Sequence, residues 1–120
     1  MNTVKINVSF LAGPALDWAV ATCKYDELAA KNIQYPEYAK HYPKVSPSTN
    51  WAQGGPIIER ECIEVSCIHT TGWTPNTWNA RHPLRQRANG PTPLIAAMRC
   101  YVASKLGEIV EVPSELFKEN

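Results

Sequence analysis

Residues 90–113 read GPTPLIAAMRCYVASKLGEIVEVP, and the fold turns on this stretch. Thr92 is a capping residue, Pro93 has a φ preset for the first helical position, and Gly107 supplies the turn that closes the run. Together they predict a helix over 93–106. Ile95, Met98, Val102 and Leu106 form one apolar stripe, with Leu94, Ala97 and Tyr101 beside it. Two buried faces leave Arg99 and Lys105 to reach outward. A short strand over 108–112 follows, with Val110 and Val112 on one side, and Pro113-Ser114 lead into a terminal helical turn.

Outward from this helix, the N-terminal VKINVSF alternates Val4, Ile6, Val8 and Phe10 against Lys5, Asn7 and Ser9, the period of a half-buried strand over 3–10. Gly13-Pro14 ends it. Leu16, Ala19, Val20 and Cys23 then give one stripe of a first helix over 14–24, with Trp18 on the adjacent side. Residues 25–56 are rich in tyrosine, proline and glycine without clear periodicity, which reads as a long surface loop with a short helical turn near 26–31. From 57 to 70, Ile57-Ile58 and then Ile63, Val65 and Cys67 alternating with Glu64 and Ser66 predict one or two strands with a bulge near 60–62. Residues 71–89 read as a second irregular stretch. The expected fold is α+β: a small, mostly antiparallel sheet from 3–10, 57–70 and 108–112 packed on two helices, with long irregular loops, all in one domain over 1–120.

Composition narrows the function classes. A chain of 120 residues builds one core, and its hydrophobic share of 44% is that of a folding domain. A formal charge of +1 is too small to hold long duplex nucleic acid through counterion release. No apolar run is long enough to span a bilayer, and the N-terminus lacks a signal-peptide pattern, so cytoplasm is the expected compartment. Cys23, Cys62, Cys67 and Cys100 then stay reduced, and the spacing of Cys62 and Cys67 is poor for zinc.

No catalytic set stands out. The chain has His41, His69 and His82 but no nucleophile elbow, no zinc-protease helix and no histidine pair at metal spacing. Glu59, Glu61 and Glu64 read as a charged edge that guards a strand. The reading is a non-catalytic binder that needs no cofactor or metal.

Three segments carry recognition groups. In SPSTNWAQGGPIIE, Ser48, Thr49, Asn50 and Gln53 offer polar side chains, Trp51 a stacking face, and Gly54-Gly55 a close backbone approach; it is not a phosphate loop, because the lysine and the following hydroxyl are missing. Trp73, Trp78, Arg81, His82, Arg85 and Arg87 could stack on bases and fork onto phosphates, or else fill core and solvated loop. At the start of the long helix, Thr92 and the positive end of the dipole could meet an anion, though prolines on both sides remove N–H groups; Arg99 joins these candidates from the helix itself.

ALDWAVA, PSTNWAQGGPIIERE and GPTPLIAAMRCYVASKLGEIVEVP together resemble the NinX-like proteins of lambdoid bacteriophages that infect enterobacteria. The resemblance implies a small phage accessory protein made in the cytoplasm of the infected bacterium, and it carries no enzymatic assignment.

The functional expectation is a binder of a small phosphorylated or nucleotide ligand, such as a host-defence nucleotide signal that the phage sequesters. Ser48, Thr49, Asn50, Trp51, Gln53, Gly54, Gly55, Trp73, Trp78, Arg81, Arg85, Arg87, Thr92 and Arg99 are its candidate ligand-binding residues. The alternatives are an aromatic patch around 35–42 and the tryptophans that docks on a host or phage protein, and single-stranded nucleic-acid binding. Sheet edges and surplus aromatics also suggest a homodimer.

Overall fold

The computed structural model describes residues 3–30, 46–68, 77–84 and 86–117. Elements follow in the order β1 (Thr3–Asn7), a 3-10 turn (Val8–Phe10), α1 (Gly13–Ala30), α2 (Trp51–Glu61), β2 (Glu64–Ile68), β3 (Thr77–Arg81), β4 (Arg87–Gly90), α3 (Pro93–Leu106), β5 (Ile109–Pro113) and a final 3-10 turn (Ser114–Phe117). The class is α+β, as expected, and all described strand pairs are antiparallel. The partition differs from the expectation. The strands divide into two sheets, β1-β5 and β2-β3-β4, and three helices are described rather than two.

The long helix is the centre of the molecule. Leu94, Ala96, Ala97, Met98, Cys100, Tyr101, Val102 and Ala103 are buried on all sides of α3, and it packs against α1, α2 and strands of both sheets. A helix that is apolar all round must sit inside a core, and small residues such as Ala96 and Ala97 let neighbours approach. Its expected start and stop hold: the Thr92 Oγ1 accepts the Ile95 N–H at 3.1 Å, and Gly107 has φ +91°.

Local chemistry explains where the element boundaries moved. The N-terminal strand stops at Asn7 because the Asn7 carboxamide accepts the Ser9 N–H at 2.9 Å, capping a 3-10 turn that carries Val8 into the core. Helix α1 starts at Gly13, whose φ of +57° an L side chain rarely adopts, and it extends to Ala30 through residues expected to be loop.

The largest correction is α2, which occupies WAQGGPIIERE where a loop and then a strand were expected. Asn50 caps it by accepting the Ala52 N–H at 2.8 Å, and a Schellman closure ends it: Cys62 is left-handed (φ 57°), its N–H reaches Glu59 O and the Ile63 N–H reaches Ile58 O at 3.1 Å. The residues that argued against a helix have a packing role. A Cβ on Gly54 would overlap the Pro47 carbonyl oxygen and sit 2.6 Å from Leu94 Cδ2, so the glycine lets α2 press onto the 46–50 turn and α3.

Residues 77–81 and 87–90, expected to be irregular, form a hairpin whose loop is closed by His82 N–H to Gln86 O at 2.8 Å. Its register pairs Arg81 with Arg87, Ala80 with Ala88, Asn79 with Asn89 and Trp78 with Gly90. No described helix is long and apolar enough to cross a membrane.

Candidate functional site

Strand parity builds the site. Ala80 and Gly90 are buried and Trp78 and Ala88 face the core, so Thr77, Asn79 and Arg81 of β3 and Arg87 and Asn89 of β4 point to the opposite face of the sheet. Asn79 and Asn89 are register partners, and their carboxamides bond to each other, Asn79 Nδ2 donating to Asn89 Oδ1 at 2.8 Å.

Arg99 reaches the same place from α3. Its Nε donates to Leu11 O and its Nη1 to Asn89 O, both at 2.8 Å, which ties the central helix to the 3-10 turn and to the outer strand. These carbonyls fix the plane of the guanidinium, and no carboxylate among the described residues pairs with it. Burial pulls its pKa below the ordinary arginine value, as expected for a cation partly withdrawn from water. The group remains charged at neutral pH. The Asn89 carbonyl faces Arg99 and not β3, so antiparallel parity aims the Asn89 N–H toward the same open edge.

Over these groups lies an open cleft of about 690 Å³, walled by Ser9, Thr77, Asn79, Arg87, Asn89 and Arg99 with Ala88, Gly90 and Pro91 beneath. Among the described residues its lining holds two guanidinium groups, two carboxamides and two hydroxyl side chains, and no acid. Such a surface can bind an anion through charge-assisted hydrogen bonds.

A second cleft of about 610 Å³ shares Arg87 and is also lined by Cys62, Glu64, Arg81, His82 and Pro83. Its charges are mixed, because Arg81 Nη2 donates to Glu64 Oε1 at 2.9 Å. Behind it, His82 is 5% exposed and uses both ring nitrogens: Nδ1 accepts the Leu84 N–H at 3.0 Å, and Nε2 lies 2.9 Å from Glu61 Oε1. The accepting Nδ1 places the imidazole proton on Nε2, which donates to the carboxylate.

Glu61 also meets Arg60 Nε at 3.2 Å and Lys105 Nζ at 3.6 Å. Burial opposes its ionisation, but the hydrogen bonds from His82 and Arg60 and the charges of Lys105 and Arg60 outweigh that and hold the carboxyl below its usual range. Glu61 is thus a half-buried anchor joining α2, α3 and the hairpin, not part of the expected charged edge. Cys100 behaves as an inert core thiol: burial pushes its pKa up to about 11, and its Sγ donates to Gln86 O at 3.4 Å.

Of the candidate residues, the structure brings Arg87 and Arg99 to one cleft. The polar groups of the 48–53 segment instead hold the start of α2. The Ser48 N–H donates to Asp17 Oδ1 at 2.9 Å, the Ser46 N–H to Gln53 Oε1 at 2.7 Å, and the Thr49 hydroxyl to Ser46 O at 3.5 Å, while Asn50 is the cap. Asp17 is itself buried, and burial raises its pKa despite the hydrogen bond from the Ser48 N–H that favours its charged form.

Gly54 serves helix packing, a Cβ at Gly55 would meet the Trp51 ring, and Trp51 stands 57% exposed on the first turn of α2. Trp78 packs against the core, Arg81 is paired with Glu64, and the Thr92 hydroxyl is taken by the helix cap. Trp73, Arg85 and the aromatic 35–42 segment lie outside the described residues. Sequence reasoning missed Ser9, Thr77, Asn79 and Asn89; the alternation in TWNAR and RANG on either side of Pro83 is the signal that would have found three of them.

A sequence model described as Bacteriophage P22, NinX, matches residues 7–105. The chain belongs to the NinX family. It is thus a bacteriophage accessory protein, and the NinX match spans the whole cleft lining, from Ser9 to Arg99. A search of curated proteins finds no match.

Proposed function

We propose that this phage accessory protein binds a small phosphorylated ligand, without transforming it, in the cleft at the open edge of β4, lined by the outer face of the β3-β4 hairpin and by Arg99 of α3. The observation that carries the reading is Arg99: a partly buried guanidinium fixed by two backbone carbonyls, with no carboxylate among the described residues to neutralise it, beside a second arginine at Arg87. Holding a cation this way costs desolvation, and an incoming phosphate would offset that cost through bidentate hydrogen bonds. Binding without chemistry suits the removal of a phosphorylated signal from the host cell, nucleotide signals of host defence included.

The test is thermal unfolding of the full chain against phosphate, sugar phosphates and mono-, di- and cyclic nucleotides at fixed ionic strength. The expected result is a saturable rise in melting temperature with at least one phosphorylated compound, since a ligand that binds only the folded state stabilises it by mass action. Arg87→Ala should shrink that rise while leaving the melting temperature of the ligand-free protein unchanged. A uniform lack of response across the set, or an identical response in R87A, defeats the reading.

A further inference from the structure

We infer that the ligand of this cleft is a polyol phosphate of the sugar-phosphate class, read at its hydroxyl groups by the Asn79–Asn89 carboxamide pair. This rests on the cleft being a phosphate site and adds what lies beyond the phosphate. Arg87 and Asn89 are two positions apart on the same face of β4, about 7 Å along the strand, and Arg99 reaches the Asn89 carbonyl, so a phosphate held by the two arginines has the amide pair close beside it.

The hydrogen-bond inventory of the pair is suited to a diol. The bond from Asn79 Nδ2 to Asn89 Oδ1 uses one donor of the first residue and one lone pair of the second. It leaves the Asn79 Oδ1 as an acceptor and the Asn89 amide hydrogens as donors for a ligand. Two neighbouring hydroxyls can give a proton to the one and accept from the other. The hydroxyl side chains of Ser9 and Thr77 extend the same chemistry along the walls. Cross-strand bonding of the two carboxamides orients them before a ligand arrives, which reduces the ordering cost of binding.

The experiment is calorimetric titration of the full chain with inorganic phosphate, ribose 5-phosphate and 2-deoxyribose 5-phosphate, repeated on Asn89→Ala, Asn79→Ser and Arg87→Ala. Ribose 5-phosphate should bind about tenfold more tightly than inorganic phosphate, the value of two net hydrogen bonds. N89A should erase that advantage, bringing the affinity for ribose 5-phosphate down to that for inorganic phosphate, and N79S, which places a hydroxyl at the position, should retain part of it. R87A should weaken all three compounds together.

Equal affinities for phosphate and ribose 5-phosphate in the wild-type chain would overturn the inference while the phosphate site stands, as would an N89A variant that weakens both alike. Failure of every phosphorylated compound to bind would remove the phosphate site and the inference with it. Melting temperatures of the variants without ligand separate loss of contacts from loss of fold.

Discussion

Adjacent glycines in α2 give a sharp test of the packing argument. In an exposed helix interior, alanine is more favourable than glycine by about 1 kcal/mol, so propensity alone predicts that Gly54→Ala and Gly55→Ala both stabilise the protein. The surroundings differ. Beyond its chain neighbours, a Cβ added at Gly55 would meet only Trp51 Cε3 at 3.9 Å, an ordinary contact, but Pro56 follows and disfavours helical backbone at a residue that carries a Cβ, so G55A should gain only part of the propensity term. A Cβ added at Gly54 would fall 2.6 Å from Leu94 Cδ2 and onto the Pro47 carbonyl oxygen. The leucine can rotate, but the carbonyl belongs to a turn pinned by Asp17 and Gln53, so α2 itself must move.

Overpacking of this kind costs about 1–3 kcal/mol, and shifting a helix on a well-packed core puts G54A toward the upper end, a net loss of about 2 kcal/mol after the propensity gain. At this chain length that is a fall of about 8 °C in melting temperature, against a rise of up to about 4 °C for G55A. Thermal denaturation followed by circular dichroism measures both. If G54A proves as stable as G55A, then α2 does not press on the 46–50 turn and the assigned role of Gly54 is wrong.

Asp17→Ala strands the buried Ser48 N–H and should cost about 2 kcal/mol, whereas Asp17→Asn keeps an acceptor and should cost less. Because the folded pKa of Asp17 is raised, its ionisation penalises the native state as pH rises through the interval from the unfolded to the folded value; denaturation midpoints of D17N relative to wild type should improve from acid toward neutral pH. Glu61 has the opposite sign: with its folded pKa lowered, its stabilisation is complete above the unfolded value and is lost as pH falls through the folded one. Wild type should therefore lose stability on acidification more steeply than Glu61→Gln, and parallel curves for the two would refute the role of the His82, Arg60 and Lys105 contacts. In native protein the exposed Cys62 should react quickly with a thiol reagent, and the buried Cys23 and Cys100 only on the timescale of unfolding, as mass spectrometry of the labelled chain would show.

The long helix was legible because its information is local. Thr92, Pro93 and Gly107 mark its ends by backbone chemistry that acts within a few residues, and the apolar run between them needs no knowledge of partners. The first helix and the antiparallel strands near each end were legible for the same reason. The α+β class followed from them.

Other elements were decided at a distance. WAQGGPIIERE has the glycines and proline of a loop and the paired isoleucines of a strand, and it is a helix because Gly54 fits against Pro47 and Leu94, residues that only the tertiary structure brings together. The candidate site divided along the same line. Arginine content alone could nominate Arg81, Arg87 and Arg99, but nothing local distinguishes one paired with Glu64 from one left without an acid beside it. Hairpin register placed Asn79 against Asn89, and the carbonyls of Leu11 and Asn89, far from Arg99 in one case and in a neighbouring strand in the other, fixed its guanidinium at the rim of the cleft. Short-range backbone preferences can be read along a chain, whereas the pairing of charges and the filling of space depend on neighbours chosen by the fold, and that is why the sequence yielded the ends of the long helix and the structure yielded the cleft.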